Sequence, residues 1–183
     1  MKESFVRRNL RFPRIAALAV LAVLALLPTA TAQAGGGLST STGETVPGSK
    51  AKLVGGRAIA PADAPRRVQK VIAAANKIRN KPYRWGGGHG SWNDRGYDCS
   101  GSVSYALHGG GLLDTPLDST GLSRYGQRGK GSWISVYGNP GHAYMVVAGL
   151  RFDTSNTKGD GPSWSRSLRS TSGSFKVRHP RGL

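Results

Sequence analysis

The sequence predicts an α+β domain in which a helical lobe precedes antiparallel strands, and three observations carry that prediction. Apolar residues recur at helical spacing from Val68 to Ile78. The single cysteine, Cys99, opens a second short helical stretch that stops at Gly109-Gly110-Gly111. A β-prone run from His142 to Leu150 follows the turn-forming triplet Asn139-Pro140-Gly141.

Ahead of this domain the chain reads as an export leader. Arg7, Arg8, Arg11 and Arg14 precede an apolar run of 13 residues, Ile15 to Leu27, and small residues through Ala32 and Ala34 follow. A positive front, a short apolar centre and an Ala-x-Ala exit describe a cleaved secretory signal over residues 1–34. The run falls short of the about 20 residues that a membrane helix needs, so no transmembrane anchor is expected in the mature form. Arg7-Arg8 fits a twin-arginine exporter as well as an ordinary basic leader. Cleavage would remove five Lys or Arg and one Glu, lowering the formal charge from +17 to +13. Such a charge favours anionic polymers, membranes or nucleic acid as partners and says little about fold. No nucleic-acid module is visible, so specific nucleic-acid binding is not expected.

Residues 35–62, rich in Gly, Ser, Thr, Ala and Pro without lasting periodicity, are expected to be a flexible linker. Residues 63–183 then have the length of one domain, with no internal repeat, and a monomer is expected. Its first helix has Asp63 as N-cap, Pro65 in the first turn and Val68, Val71, Ile72, Ala75 and Ile78 on the core side, with Pro82 as its stop. Arg66, Arg67, Lys70, Lys77 and Arg79 fall on the wet side. Lys81 to Gly90 is a glycine-rich loop with aromatic anchors, and Ser100 to Leu107 a short helix. Arg151 to Asp153 is expected to pair back onto the His142 strand, and Ser174 to His179 forms a last short strand.

One cysteine cannot close an internal disulfide, so Cys99 is a buried small hydrophobe, an intermolecular bridge or a reactive thiol. A thiol becomes nucleophilic when positive potential stabilises its thiolate, and a helix N-terminus with a neighbouring histidine supplies that. Of His89, His108, His142 and His179, the third is best placed, between a tight turn and a hydrophobic strand. Asp153, eleven residues on and beyond the expected return of the chain, is a candidate to orient its imidazole in the usual arrangement of nucleophile, base and orienting group. His89 shares the glycine loop with Trp85 and could touch a ligand. No His-Glu-x-x-His, paired cysteines or clustered carboxylates appear, so neither metal nor cofactor is expected.

Pro82-Tyr83-Arg84-Trp85-Gly86-Gly87, Tyr97-Asp98-Cys99-Ser100-Gly101 and Gly141-His142, in that order over roughly residues 66–155, resemble the NlpC-type family of bacterial cell-wall cysteine peptidases. The resemblance implies a papain-like α+β fold, the nucleophile starting a helix that packs on an antiparallel sheet. It implies hydrolysis of peptidoglycan stem peptides, commonly between D-glutamate and a diamino acid, with Cys99 as nucleophile and His142 as general base. Asp153 falls where the family has a polar third residue, often histidine. Tyr83, Asp98 and Ser100 are assigned to a pocket for the substrate's amino end, where a carboxylate and a hydroxyl suit an ammonium. The Tyr83 hydroxyl with the Cys99 backbone N–H would stabilise the oxyanion. Trp85 is expected to serve core packing. Two departures stand out: Gly131 to Gly141 replaces a Gly-Asp-Leu-type strand, and Asp153 replaces the common histidine. A non-catalytic peptidoglycan-binding module, or an acyl-transfer enzyme using the same thioester, would keep the same cleft.

Overall fold

The computed structural model describes residues 43–156, 161–170 and 175–183. The expected leader, residues 1–34, lies outside them. Among the described residues no helix is long and apolar enough to cross a membrane.

The amphipathic pattern beginning at Val68 becomes α1, Arg66–Ile78, whose stripe of Val68, Val71, Ile72, Ala75 and Ile78 is buried. Pro65, not Asp63, is its N-cap, and it makes no side-chain cap. Proline suits a helix start because its missing N–H needs no partner there. The second helix, α2, is Cys99–Gly109, one residue longer at its start than expected and two at its end. Its N-cap is Asp98, whose carboxylate accepts the Gly101 N–H at 2.6 Å. Val103, Ala106 and Leu107 are buried. The two helices pack closely because α2 ends in glycines: a side chain at Gly109 would collide with Ala74, and one at Gly110 with Val71. Truncating Ile72 or Leu107 to alanine in this core would cost about 2–5 kcal/mol.

A one-turn helix, α3, Ser119–Leu122, is capped by Asp118. Before it lie β1, Thr45–Val46, β2, Lys52–Val54, and β3, Arg57–Pro61; after it come β4, Gln127–Arg128, β5, Ile134–Asn139, β6, His142–Val147, β7, Leu150–Asp153, β8, Ser163–Ser165, and β9, Lys176–His179. The later strands form one antiparallel sheet in the order β4-β9-β5-β6-β7-β8. Its inner face supplies Val136, Met145, Val147 and Phe152 to the core shared with α1 and α2. As expected, the chain after β6 folds straight back, through Ala148-Gly149 with positive φ at both residues, into β7.

The flexible linker expected over residues 35–62 is corrected where the chain is described. Residues 45–61 form a small sheet in the order β1-β3-β2, and Ala58, Ile59 and Ala60 are buried. The ordering comes from a distant polar residue on α1. Asn76 accepts the Ala58 N–H at 3.1 Å and donates to the Ala58 carbonyl at 2.7 Å, while also accepting the Trp164 indole N–H at 3.0 Å. One buried amide thereby replaces a sheet partner for β3 and joins it to α1 and β8.

Candidate active site

The segment ahead of Cys99 is built from backbone contacts that only glycine permits. Tyr97 donates to the Pro82 carbonyl at 3.1 Å and accepts from Arg84, and Asp98 donates to the Gly87 carbonyl at 3.2 Å. A side chain at Gly101 would strike that same carbonyl, and one at Gly87 would strike the Gly96 carbonyl. The glycines of both blocks are therefore demanded by the approach of the 82–88 loop to the start of α2. Tyr83 and Tyr97 meet there in a parallel bridge.

Cys99 is the first residue of α2, half-buried, with its thiol at the helix N-terminus. Across from it, β6 begins at His142, after a turn in which Asn139 Oδ1 accepts the N–H groups of Gly141 and His142 at 2.9 and 2.8 Å. Asp153 ends β7, one strand over, in a register (Met145 opposite Phe152) that sets it diagonally from His142. The fold thus brings the three residues together: the His142 Nε2 lies 2.9 Å from Asp153 Oδ1, and its ring is near enough to the Cys99 thiol for each to shift the other's titration. With Nε2 engaged by the carboxylate, Nδ1 is the ring nitrogen left for the thiol.

Electrostatics follow from that contact. Burial alone would push the Cys99 thiol up, but hydrogen bonds from His142 and the Ala143 N–H, with the charge of His142, outweigh it and hold the thiol below its ordinary range. Burial opposes protonation of His142, yet Asp153 and Cys99 together raise it to about 9. Asp153 has no exposed side-chain surface; burial would raise its carboxyl, and the bonds from His142 and the Ser155 N–H bring it down to about 2. The shifts of His142 and Asp153 describe an imidazolium facing a carboxylate, beside a thiol that gives up its proton more readily than free cysteine.

Behind Asp153 stand two arginines. Arg169 Nη1 is 3.3 Å from its Oδ2 and donates to Ser155 Oγ at 2.7 Å, and Arg151 Nε is 3.6 Å from the same Oδ2. The Arg169 guanidinium also lies over the rings of Tyr144 and Phe175, 5.5 and 5.7 Å from their centroids. Ser155 donates from backbone and hydroxyl to Asp153 Oδ1, each at 3.0 Å. Sequence reasoning missed Arg151, Arg169 and Ser155 as supports of the carboxylate. A serine two residues after Asp153 was the only local signal, as an Asp-x-Ser turn.

The expected substrate pocket is only partly open. Tyr83 is exposed and close enough to Cys99 and Asp98 that, after burial, their charges push its phenol up. Asp98 and Ser100 are buried and mutually bonded: Asp98 also accepts the Gly86 N–H at 3.1 Å, and His89 Nε2 lies 3.1 Å from both Asp98 Oδ1 and Ser100 Oγ. His89 thus joins the cluster through side-chain contacts that spacing does not reveal. Trp85 is corrected: it is 91% exposed, on the rim of the loop and outside the core. Gly86, the next residue, has a φ of +72°, a backbone conformation that favours glycine.

Neither a protein-family model nor a curated protein matches the sequence. Among solved structures, the chain is similar to the peptidoglycan hydrolase RipB of Mycobacterium tuberculosis, with TM-score 0.50 and 25% identity over 63% of this chain and 68% of that one. The fold is the papain-like NlpC/p60 fold. A hypothetical invasion protein of the same organism aligns with TM-score 0.49 and 22% identity, over 64% of this chain and 65% of its own. RipD, described as a non-catalytic NlpC/p60 domain protein of that organism adapted to peptidoglycan binding, aligns with TM-score 0.48 and 22% identity over 63% and 98%. The expected α+β architecture, with the nucleophile candidate starting a helix on an antiparallel sheet, is the architecture found.

Proposed function

We propose that the chain is an exported cysteine peptidase that hydrolyses stem-peptide bonds of peptidoglycan through a thioester at Cys99. The observation that carries this reading is His142 held between the Cys99 thiol and the buried Asp153 carboxylate. Similarity to RipB, a peptidoglycan hydrolase, supplies the substrate class.

In this mechanism the Cys99 thiolate attacks the peptide carbonyl carbon, and the developing oxyanion takes hydrogen bonds from the Cys99 backbone N–H and the Tyr83 hydroxyl. The C–N bond breaks as the His142 imidazolium gives its proton to the leaving amine. Neutral His142 then takes a proton from water, whose oxygen attacks the thioester, and the acid product leaves as Cys99 is restored. Asp153 keeps the ring oriented and stabilises its charged form without taking its proton. Asp98 and Ser100 receive the amino end of the stem peptide; to do so they exchange the His89 contact for the substrate ammonium.

The test is to incubate the protein and its Cys99→Ala form with purified peptidoglycan and identify released fragments by mass. Peptide fragments with new free termini, released by the wild type alone, are expected. Binding by both forms without release would make the chain a wall-binding module, and products capped by an added amine would make it an acyl-transfer enzyme.

A further inference from the structure

At the end of α2 remote from Cys99, an open groove of about 770 Å³ runs along α1. His108 is nine residues along α2 from the thiol, about 14 Å at the α-helical rise. Arg66, Lys70 and Lys77 line the groove from the wet side of α1, and no Asp or Glu lines it. Lys70 and Lys77 form no ion pair among the described residues.

Opposite the cations stands an aromatic wall. The half-buried Trp92 stacks on His108, with centroids 3.9 Å apart and planes at 6°, and the His108 Nδ1 is fixed 2.9 Å from the Leu113 carbonyl. Tyr105 and Asn93 add hydrogen-bonding groups. The groove does not end there. A second cavity of about 430 Å³ shares Lys77, Asn93 and Tyr105 with it and adds Lys81 and Arg95. The one acidic residue of this second part, Asp94, already accepts the N–H groups of Gly88 and Arg95.

We propose that this double groove binds a linear anionic glycan whose sugar or polyol units are joined by phosphodiesters. Two contiguous cavities open to solvent suit a chain better than a small enclosed anion. Lysines spaced along the helix meet phosphates as point charges, and a flat indole wall beside hydroxyl and amide groups suits a polyhydroxylated unit. A single-stranded nucleic acid fits less well, because base stacking needs a succession of open aromatic faces. Here Trp92 and His108 form one stacked pair rather than a succession. The groove binds independently of thiol chemistry, so its occupancy does not rest on the peptidase reading.

The test follows tryptophan emission while the purified protein and its Cys99→Ala form are titrated with poly(glycerol phosphate). Both are expected to bind alike, and Trp92→Phe is expected to lose the emission change while retaining most of the affinity read by isothermal titration calorimetry. Lys70→Gln with Lys77→Gln should weaken binding at least tenfold and lower the log–log salt slope by about two. A double variant of equal charge change at exposed sites elsewhere, Lys52→Gln with Lys176→Gln, should shift affinity less than threefold. Equal losses in the two double variants, undiminished binding by Lys70→Gln with Lys77→Gln, or no binding by the wild type would overturn the proposal. So would single-stranded DNA of matched charge that binds as tightly and changes Trp92 emission in the same way.

Discussion

The two ends of α2 handle charge in opposite ways. At the N-terminal end, Cys99, His142 and Asp153 are close, partly or wholly buried, and each charge faces its opposite. At the C-terminal end, Lys70 and Lys77 face an open groove with no carboxylate in its lining. Buried charges that satisfy one another are insulated from salt and exacting about geometry, whereas solvated charges of one sign are tolerant of geometry and sensitive to salt. The same helix therefore carries a site suited to chemistry and another suited to adhesion.

The sharpest way to break the comparison is to remove the nucleophile. Cys99→Ala should abolish release of stem peptides, a loss of at least about 10⁴-fold, while leaving polyanion binding unchanged in the same preparation. Asp153→Asn should follow with a loss of about 10²–10⁴-fold in kcat measured on a soluble stem peptide, because the ring loses its orienting anion. A normal rate would remove Asp153 from the role. Arg169→Ala takes one of two cations from a carboxylate that keeps Arg151 and the Ser155 N–H. With Arg169 one-third exposed, a loss of about fivefold is expected, read in kcat more than in KM, and partly restored by Arg169→Lys.

The pH dependence separates the two ends further. Asp153, lowered to about 2 from 3.8, stabilises the fold above the higher value, and that contribution fades as pH falls through about 2. His142, raised from 6.5 to about 9, stabilises the fold below 6.5, and that contribution is lost as pH rises through about 9. The difference in Tm between wild type and His142→Ala should accordingly be largest between pH 4 and 6.5 and shrink toward pH 9. Iodoacetamide should label Cys99 at lower pH than it labels free cysteine, and Asp153→Ala should move that profile back toward the ordinary thiol. Smallest of all, raising salt from 50 to 200 mM should barely alter turnover of a short neutral peptide, yet weaken adhesion to a phosphodiester polymer severalfold or more.

Much of the scaffold was legible in the residues because the relevant forces are local. The stripe from Val68 to Ile78 can bury itself in only one way, and Gly109-Gly110-Gly111 marks both the end of α2 and its close contact with α1. Cys99, His142 and Asp153 were readable as a set because a tight turn and a two-residue return at Ala148-Gly149 leave β6 and β7 little choice of register. The small sheet at residues 45–61 was not, since what ties it to α1 is the amide of Asn76, a polar residue sitting among apolar ones on a helix. Arg169 likewise reaches Asp153 from beyond β8, and His89 meets Asp98 across a loop. Contacts fixed only by the folded chain leave no periodicity to read. Trp85 failed for the opposite reason: its size argued for burial, but it sits on a glycine-rich loop that leaves the indole 91% exposed.

Asp98 ties the character of the thiol to the folding of the chain around it. Its carboxylate holds the Gly101 N–H, starting the helix that carries Cys99, and the Gly86 N–H, fastening the loop that carries Tyr83. Both walls around the sulfur therefore hang on one carboxylate, while His142 and the Ala143 N–H reach the thiol from a strand distant in sequence. An extended chain bears a thiol as sluggish as that of free cysteine. The altered reactivity of Cys99 is therefore a property of the folded chain alone, and a single carboxylate links two of the segments that create it.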